Sequence, residues 1–175
     1  MASNKKLNKE KTDLRLESGK VMTKRQLDLC NGIIHTASAA SGAAGAIPIP
    51  IADAIPITAA QITMVIALGG VFEAKLTKAA ARTILAGVAA PIIGRTVAST
   101  FLKFIPVAGW IASAALAALI TEVIGWTIAN DFAKDYKRNY EFAKKEAEHN
   151  NIKDEIDENE IFDDDDDDDD DDNID

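Results

Sequence analysis

The stretch "IPIPIADAIPITAAQ", residues 47–61, decides the fold because it places three prolines and one carboxylate inside a long apolar, small-residue region. Proline lacks the backbone donor and restricts the residue before it, so the first two prolines end any preceding helix. Asp53 can cap a new helix, with Pro56 tolerated in its first turn. The stretch therefore predicts a tight reversal between two apolar helices.

The same stretch offers a second start for the new helix. Thr58 and Gln61 have capping-box spacing, and Ile57 and Ile62 have the spacing of a hydrophobic staple. Gln61 then either completes this box or forms a hydrogen bond across a helical bundle. For Asp53, a structural role at the helix start is favoured over a functional carboxylate.

The rest of the chain repeats this layout, so the predicted fold is all-α, with two helical hairpins rich in small residues and disordered termini. A second proline turn, "KFIPVAGW", lies at residues 103–110. The four main helices are expected from about residue 22 to the first prolines, from the reversal to Leu68, from Glu73 to Phe101 with a kink at Pro91, and from Val107 past Ala129. The domain plan is a polar tail at 1–20, a helical domain at 21–148 and an acidic tail at 149–175.

Charge is distributed unevenly, although the net charge of the chain is −9. From Asn150 onward there are sixteen acids and one base, which leaves eighteen bases and twelve acids in the preceding 149 residues. The run of aspartates at 163–172 repels itself and predicts disorder. We expect this tail to act as a solubilising segment, with a basic protein partner as the alternative, and we expect no nucleic-acid partner.

No arrangement of residues points to catalysis, a cofactor or a metal. His35 stands alone until His149, whereas a metal site needs several ligands at fixed spacing. "SGAAGA" at 41–46 lacks the lysine and Ser/Thr pair of a phosphate loop, and no predicted strand precedes it. Two charges interrupt the apolar helices, Arg95 and Glu122, and they either face the bundle interior within lipid or mark exposed faces of a soluble bundle.

Several features favour a membrane location. The longest candidate span is residues 104–129, interrupted only by Glu122, and a spanning helix needs about 20 apolar residues. If both hairpins span, the basic clusters at 5–25, 75–82 and 134–145 all lie on the cytoplasmic side. Small residues four apart permit close helix approach, in the pairs Ser38/Gly42, Ser41/Gly45, Ala90/Gly94 and Ala114/Ala118. The expectation is an inner-membrane protein with cytoplasmic termini.

A purely cytoplasmic location is the alternative. The first twenty residues have no apolar core and do not form a secretory signal. Cys30 is the only cysteine, so no intramolecular disulfide is possible.

The stretch "PIPIADAIPITAAQITMVIALGGVF" at 48–72, followed by Gly94, Arg95 and "KFIPVAGW", resembles a bacterial family of unknown function. That family is a small hydrophobic helical domain, found alone or fused behind an Era/Ras-like GTPase domain. The resemblance covers about residues 25–142. It implies an inner-membrane helical module that works beside a GTPase, and it supplies no catalytic residues. Because this chain has no GTPase domain of its own, the GTPase would be a separate polypeptide.

Three functions follow as hypotheses, none of them enzymatic. The first is a membrane-associated helical module that partners a separate GTPase or a stress-response protein. The second is a small pore-forming or membrane-perturbing protein, since two alanine-rich hairpins could insert. The third is a soluble helical adaptor with an acidic tail.

Overall fold

The computed structural model describes residues 2–46, 54–100 and 109–160, and all regular structure in these ranges is helical. The helices are α1 (Ala2–Val21), α2 (Lys24–Gly45), α3 (Ala54–Val71), α4 (Lys78–Thr100) and α5 (Gly109–Glu160). The all-α prediction is confirmed for this part of the chain. The chain divides into two compact units, Met1–Tyr136 and Lys137–Asp175.

The described residues contain five helices rather than the four main helices predicted, because the segment predicted as a polar tail at 1–20 forms α1. Nine of the twenty residues of α1 are charged, so its composition does not indicate a packed helix. Its least exposed positions nevertheless follow a seven-residue repeat, with Leu7, Lys11, Leu14, Ser18 and Val21 on one side. This side packs on the rest of the bundle. Helix α1 is therefore stabilised by these tertiary contacts and not by a high content of apolar residues.

Helix α2 begins with a capping box that the sequence analysis did not identify. The Thr23 amide donates to Gln26 Oε1 over 2.9 Å, and the Gln26 amide donates to Thr23 Oγ1 over 3.3 Å. The two residues therefore satisfy backbone donors at the start of α2 without help from any other helix.

Helix α3 begins at Ala54, which agrees with a start at Asp53 and places Thr58 inside the helix. The alternative capping box at Thr58 is therefore wrong, because a helix that already contains Thr58 cannot begin there. Asp53 and the proline turns at 47–53 and 101–108 lie outside the described residues, so their predicted roles stay predictions. Helix α4 continues through Pro91, where a kink had been predicted.

The link between α3 and α4 is close to its predicted place, although the two glycines do not end α3. Helix α3 continues to Val71, and Glu73 takes the left-handed backbone conformation with φ of 61°. A Cβ on Gly69 would lie 2.8 Å from Leu76 Cδ1 and 3.0 Å from the Ala74 carbonyl oxygen. Glycine at this position therefore allows the chain to fold back against the end of α3.

The core is centred on α5, where nine of the ten residues from Thr121 to Asn130 are buried. Gly125 makes this possible, since a Cβ there would lie 2.8 Å from Ile34 Cγ1 on α2 and 3.0 Å from Met64 Sδ on α3. Helices α2 and α3 also contact each other, and α3 contacts α4. The predicted pairing of the last two helices as a hairpin stays a prediction.

One predicted close approach of small residues is present between α2 and α5. A Cβ on Gly42 would lie 3.3 Å from Ala118 Cβ, and the Ser38 hydroxyl donates to the Ala118 carbonyl over 3.0 Å. Helix α2 is antiparallel to α5, because Ile34 lies beside Gly125 whereas Gly42 lies beside Ala118. By contrast, a Cβ on Gly94 would meet nothing within 4 Å, so the Ala90/Gly94 pair lies on an open surface of α4.

Candidate interaction site along α1 and α5

Glu122 of α5 is the buried charge of the bundle, with only 8% of the residue exposed. Lys11 Nζ of α1 lies 2.7 Å from Glu122 Oε2, as an ion pair without hydrogen-bond geometry. His35 Nδ1 of α2 lies 2.9 Å from Oε1. A buried carboxylate is costly unless it is paired, so these two contacts allow Glu122 to occupy the core.

Two turns further along α5, a second polar contact joins the same helices. The Ser18 hydroxyl lies 2.7 Å from Asn130 Oδ1, and Asn130 Nδ2 donates to the Leu14 carbonyl over 3.1 Å. Ser18 and Asn130 are 0% and 2% exposed, so these contacts are shielded from water. They fix the register of α1 on α5, because a shift would leave buried polar groups unpaired.

Ion pairs at the edge of the α1 surface complete this set of contacts. Lys134 Nζ donates to Glu17 Oε1 over 2.9 Å, and this hydrogen bond raises the pKa of Lys134. On the other side of α1, Arg95 Nη2 of α4 lies 3.3 Å from Glu10 Oε1. Both pairs are substantially exposed, so water and salt weaken them.

The structure places Arg95 and Glu122 against α1, and it places Gln61 against Thr121, the neighbour of Glu122 on α5. Arg95 and Glu122, the two charges within the apolar helices, each contact a side chain of α1 rather than each other. Gln61 crosses the bundle, and its Nε2 donates to Thr121 Oγ1 over 3.0 Å. We call the contacts of Lys11, Ser18, Glu122 and Asn130 the polar seam.

Sequence reasoning missed the α1 half of this seam. Lys11 and Ser18 are seven residues apart and alternate with Leu7, Leu14 and Val21. That spacing is typical of a helix packed along one stripe, with two polar positions that require polar partners. This seven-residue pattern could have predicted that α1 is a helix packed on the bundle.

The contacts of the polar seam hold α1 and α5 together. Within the described residues, no group of three His, Cys, Asp or Glu side chains could hold a metal ion. Cys30 is fully buried, and desolvation raises the pKa of its thiol to about 11, so the thiol is protonated at neutral pH.

Away from the polar seam, many exposed positions of α3 and of its neighbours α2 and α4 carry no charge. All eighteen residues of α3 are uncharged, including those on its exposed side. We define the uncharged face by exposed residues of three helices: Thr36, Ala39, Ala40 and Ala43 of α2; Ile55, Thr58, Ala59 and Thr63 of α3; and Ala86, Gly87, Ala90 and Ile93 of α4.

Basic residues lie at one end of this face. Helix α2 begins with Lys24 and Arg25, and α4 carries Lys78 and Arg82 in its first turns. These two helix starts share one end of the bundle, because α3 runs antiparallel to α2 and α4 starts just after α3 ends.

One described helix, over Ala114–Asn150, is long and apolar enough to cross a membrane by length and composition. More than half of its apolar stretch is buried inside the protein, as in a core helix of a bundle. No protein-family model matches the chain, and no match is found among curated proteins or solved structures.

Proposed function

We propose that this protein is a non-enzymatic, membrane-associated helical module that docks on lipid through the uncharged face. The observation that carries this proposal is α3, an eighteen-residue helix without a charge whose outer side is exposed. A surface helix of a water-soluble bundle places charged residues outward, and a large uncharged surface indicates an interaction site.

The charge distribution favours lipid as the occupant of this face. The basic starts of α2 and α4 border it at one end, where they would meet anionic headgroups. Alanine, threonine and glycine dominate the face, with Ile55 and Ile93 as its large exposed side chains. This composition supports docking at the interface. The inner membrane is the location we propose, as expected from the resemblance.

The proposed partner is a separate GTPase or stress-response protein, and its support is the resemblance described above. This chain would then supply the membrane contact, and the partner would supply the nucleotide switch. The first twelve residues of the predicted acidic tail, 149–160, belong to α5, and residues 161–175 lie outside the described part of the chain. For this tail we propose a solubilising role, with a basic protein partner as the alternative.

A soluble adaptor is the second candidate, and the burial of α5 favours it. Residues 121–130 of α5 are enclosed by α1, α2 and α3, so this segment needs no lipid to be shielded from water. In this case the uncharged face would bind a protein.

Vesicle flotation of the full-length chain separates the two candidates. Wild type should float with vesicles that contain anionic lipid. Thr63→Glu places a charge in the middle of the uncharged face and should weaken partitioning about tenfold or more, equivalent to about 1.4 kcal/mol. Thr63→Val is the matched control, and Phe142→Glu adds the same charge in the second unit. Wild type that stays unbound on every vesicle composition would give the adaptor first place.

A further inference from the structure

We infer that α1 is a displaceable cover of the bundle. It separates from α4 and α5 and binds an anionic lipid surface, while the other helices stay folded. This inference rests on the proposed membrane function. It assigns a second lipid contact, distinct from the uncharged face, and a change of structure that accompanies it.

Helix α1 is attached to the bundle by few apolar side chains. Its inward side offers three aliphatic residues, Leu7, Leu14 and Val21, and two polar ones, Lys11 and Ser18. Its peripheral ion pairs are substantially exposed and contribute little in water. Helices held by few apolar contacts open more readily than the core.

The boundary between α1 and α2 allows such an opening. The capping box of Thr23 and Gln26 satisfies the start of α2 by itself, so α2 does not depend on α1 for its first turn. The backbone hydrogen bond from the Met22 amide to the Ser18 carbonyl closes the last turn of α1 and does not join α1 to α2. Separation of α1 therefore leaves the first turn of α2 undisturbed.

The buried carboxylate remains paired when α1 leaves. Glu122 loses Lys11, but His35 of α2 still lies 2.9 Å from Oε1. The opening therefore does not leave a charge without a partner, and water reaches the newly exposed side of α5. Asn130 becomes solvated in the same step.

The chemistry of α1 identifies the surface that receives it. The helix has six basic residues and three acidic ones, and Leu7, Leu14 and Val21 form one stripe, with Leu16 outside it. Leu16 is already 65% exposed. A basic amphipathic helix binds anionic interfaces, where its stripe enters the headgroup boundary and its lysines meet lipid phosphates. Lipid phosphates would then compete with Glu122 for Lys11.

The first test needs no membrane and no substitution. Amide hydrogen exchange of the full-length chain in water should show α1 exchanging about tenfold or more faster than residues 121–130 of α5. Raising the salt concentration should speed the exchange of α1 and leave α5 unchanged, since the ion pairs of α1 are screened. Equal exchange in α1 and α5 would overturn the inference, because α1 would then open only with the whole bundle.

The second test locks the cover. A chain with Ser18→Cys and Asn130→Cys, in a Cys30→Ala background, can be oxidised to join α1 to α5 at their closest contact. On anionic vesicles the oxidised form should bind about tenfold more weakly than the same chain after reduction. The reduced form is its own control for folding, checked by circular dichroism.

The outcomes separate the two proposals. Equal binding of the oxidised and reduced forms would disprove the release of α1 and leave the uncharged face as the lipid contact. If neither form nor wild type binds any vesicle, the membrane function fails and the lipid role of α1 fails with it. Hydrogen exchange in water still decides whether α1 opens separately.

Discussion

Helices α1 and α3 are of similar length, at 20 and 18 residues, but opposite in character. Helix α1 has nine charged residues and yet shields the buried Glu122 and Asn130 of α5. Helix α3 has no charged residue and yet exposes its outer side. The comparison shows that the position of each side chain, and not composition, decides what a helix of this protein covers.

The largest expected effect comes from truncating one buried side chain on each helix. Met64→Ala on α3 should lower the free energy of unfolding by about 2–5 kcal/mol, because Met64 is 2% exposed and contacts α5. Leu7→Ala on α1 should change global stability by less than about 1 kcal/mol while it speeds hydrogen exchange in α1, since α1 opens locally. Urea denaturation measures both. Similar losses for the two variants would remove the distinction between the helices.

The next effect concerns the close approach that α2 and α3 make to α5 at Gly125. Gly125→Ala should destabilise the bundle by about 1–3 kcal/mol, because the new methyl group would lie 2.8 Å from Ile34 Cγ1. Gly87→Ala on the open side of α4 is the matched control, and it should be neutral or stabilise by up to about 1 kcal/mol. Thermal denaturation of the two variants provides the measurement. A stable Gly125→Ala protein would argue against the described packing of α5.

An effect of similar size is expected at the polar seam, which attaches α1. Glu122→Gln keeps the size of the side chain but removes the ion pair with Lys11, and it should cost about 1–3 kcal/mol. Glu148→Gln, whose partner Lys144 is exposed, should stay within about 0.5 kcal/mol of wild type. Denaturant unfolding with hydrogen exchange would locate the loss. An unchanged exchange rate in α1 after Glu122→Gln would show that Lys11 does not hold the helix.

The smallest effect appears only in alkaline solution and tests whether Cys30 of α2 is buried. Burial raises the pKa of the Cys30 thiol from 9.0 to about 11, so folding favours its neutral form. The resulting stability is fully present below pH 9 and is lost as pH rises towards 11. Wild type should therefore lose about 1 kcal/mol relative to Cys30→Ala between pH 8 and pH 10. Parallel pH dependence of the two proteins would show that the thiol is accessible to water.

The helical class and the approximate helix starts could be predicted because they depend on local signals. Prolines, small-residue spacing and the long uncharged stretches each act within a few turns. Helix α1 could not be predicted in the same way, because its fold depends on partners far along the chain. Ser18 and Asn130, for example, are 112 residues apart.

The candidate site likewise combines features that local sequence predicts with features that depend on distant partners. The sequence identified Glu122, Arg95 and Gln61 as unusual polar residues in apolar helices. It left open whether the two charges lie inside or outside the bundle, because that depends on which helix faces them. The structure places α1 beside both, which makes Glu122 buried and Arg95 exposed.

The two close approaches along α5 determine which movements this helix can make. Ala118 meets Gly42 and Gly125 meets Ile34, so the contacts lie two turns apart on α5. A slide of α5 by one turn, about 5.4 Å, would bring Thr121 or Ala129 to the place that only a glycine fits. Axial sliding of α5 is therefore blocked at Gly125. A conformational signal can pass through this bundle only when a helix separates from its neighbours, and not when it shifts along them.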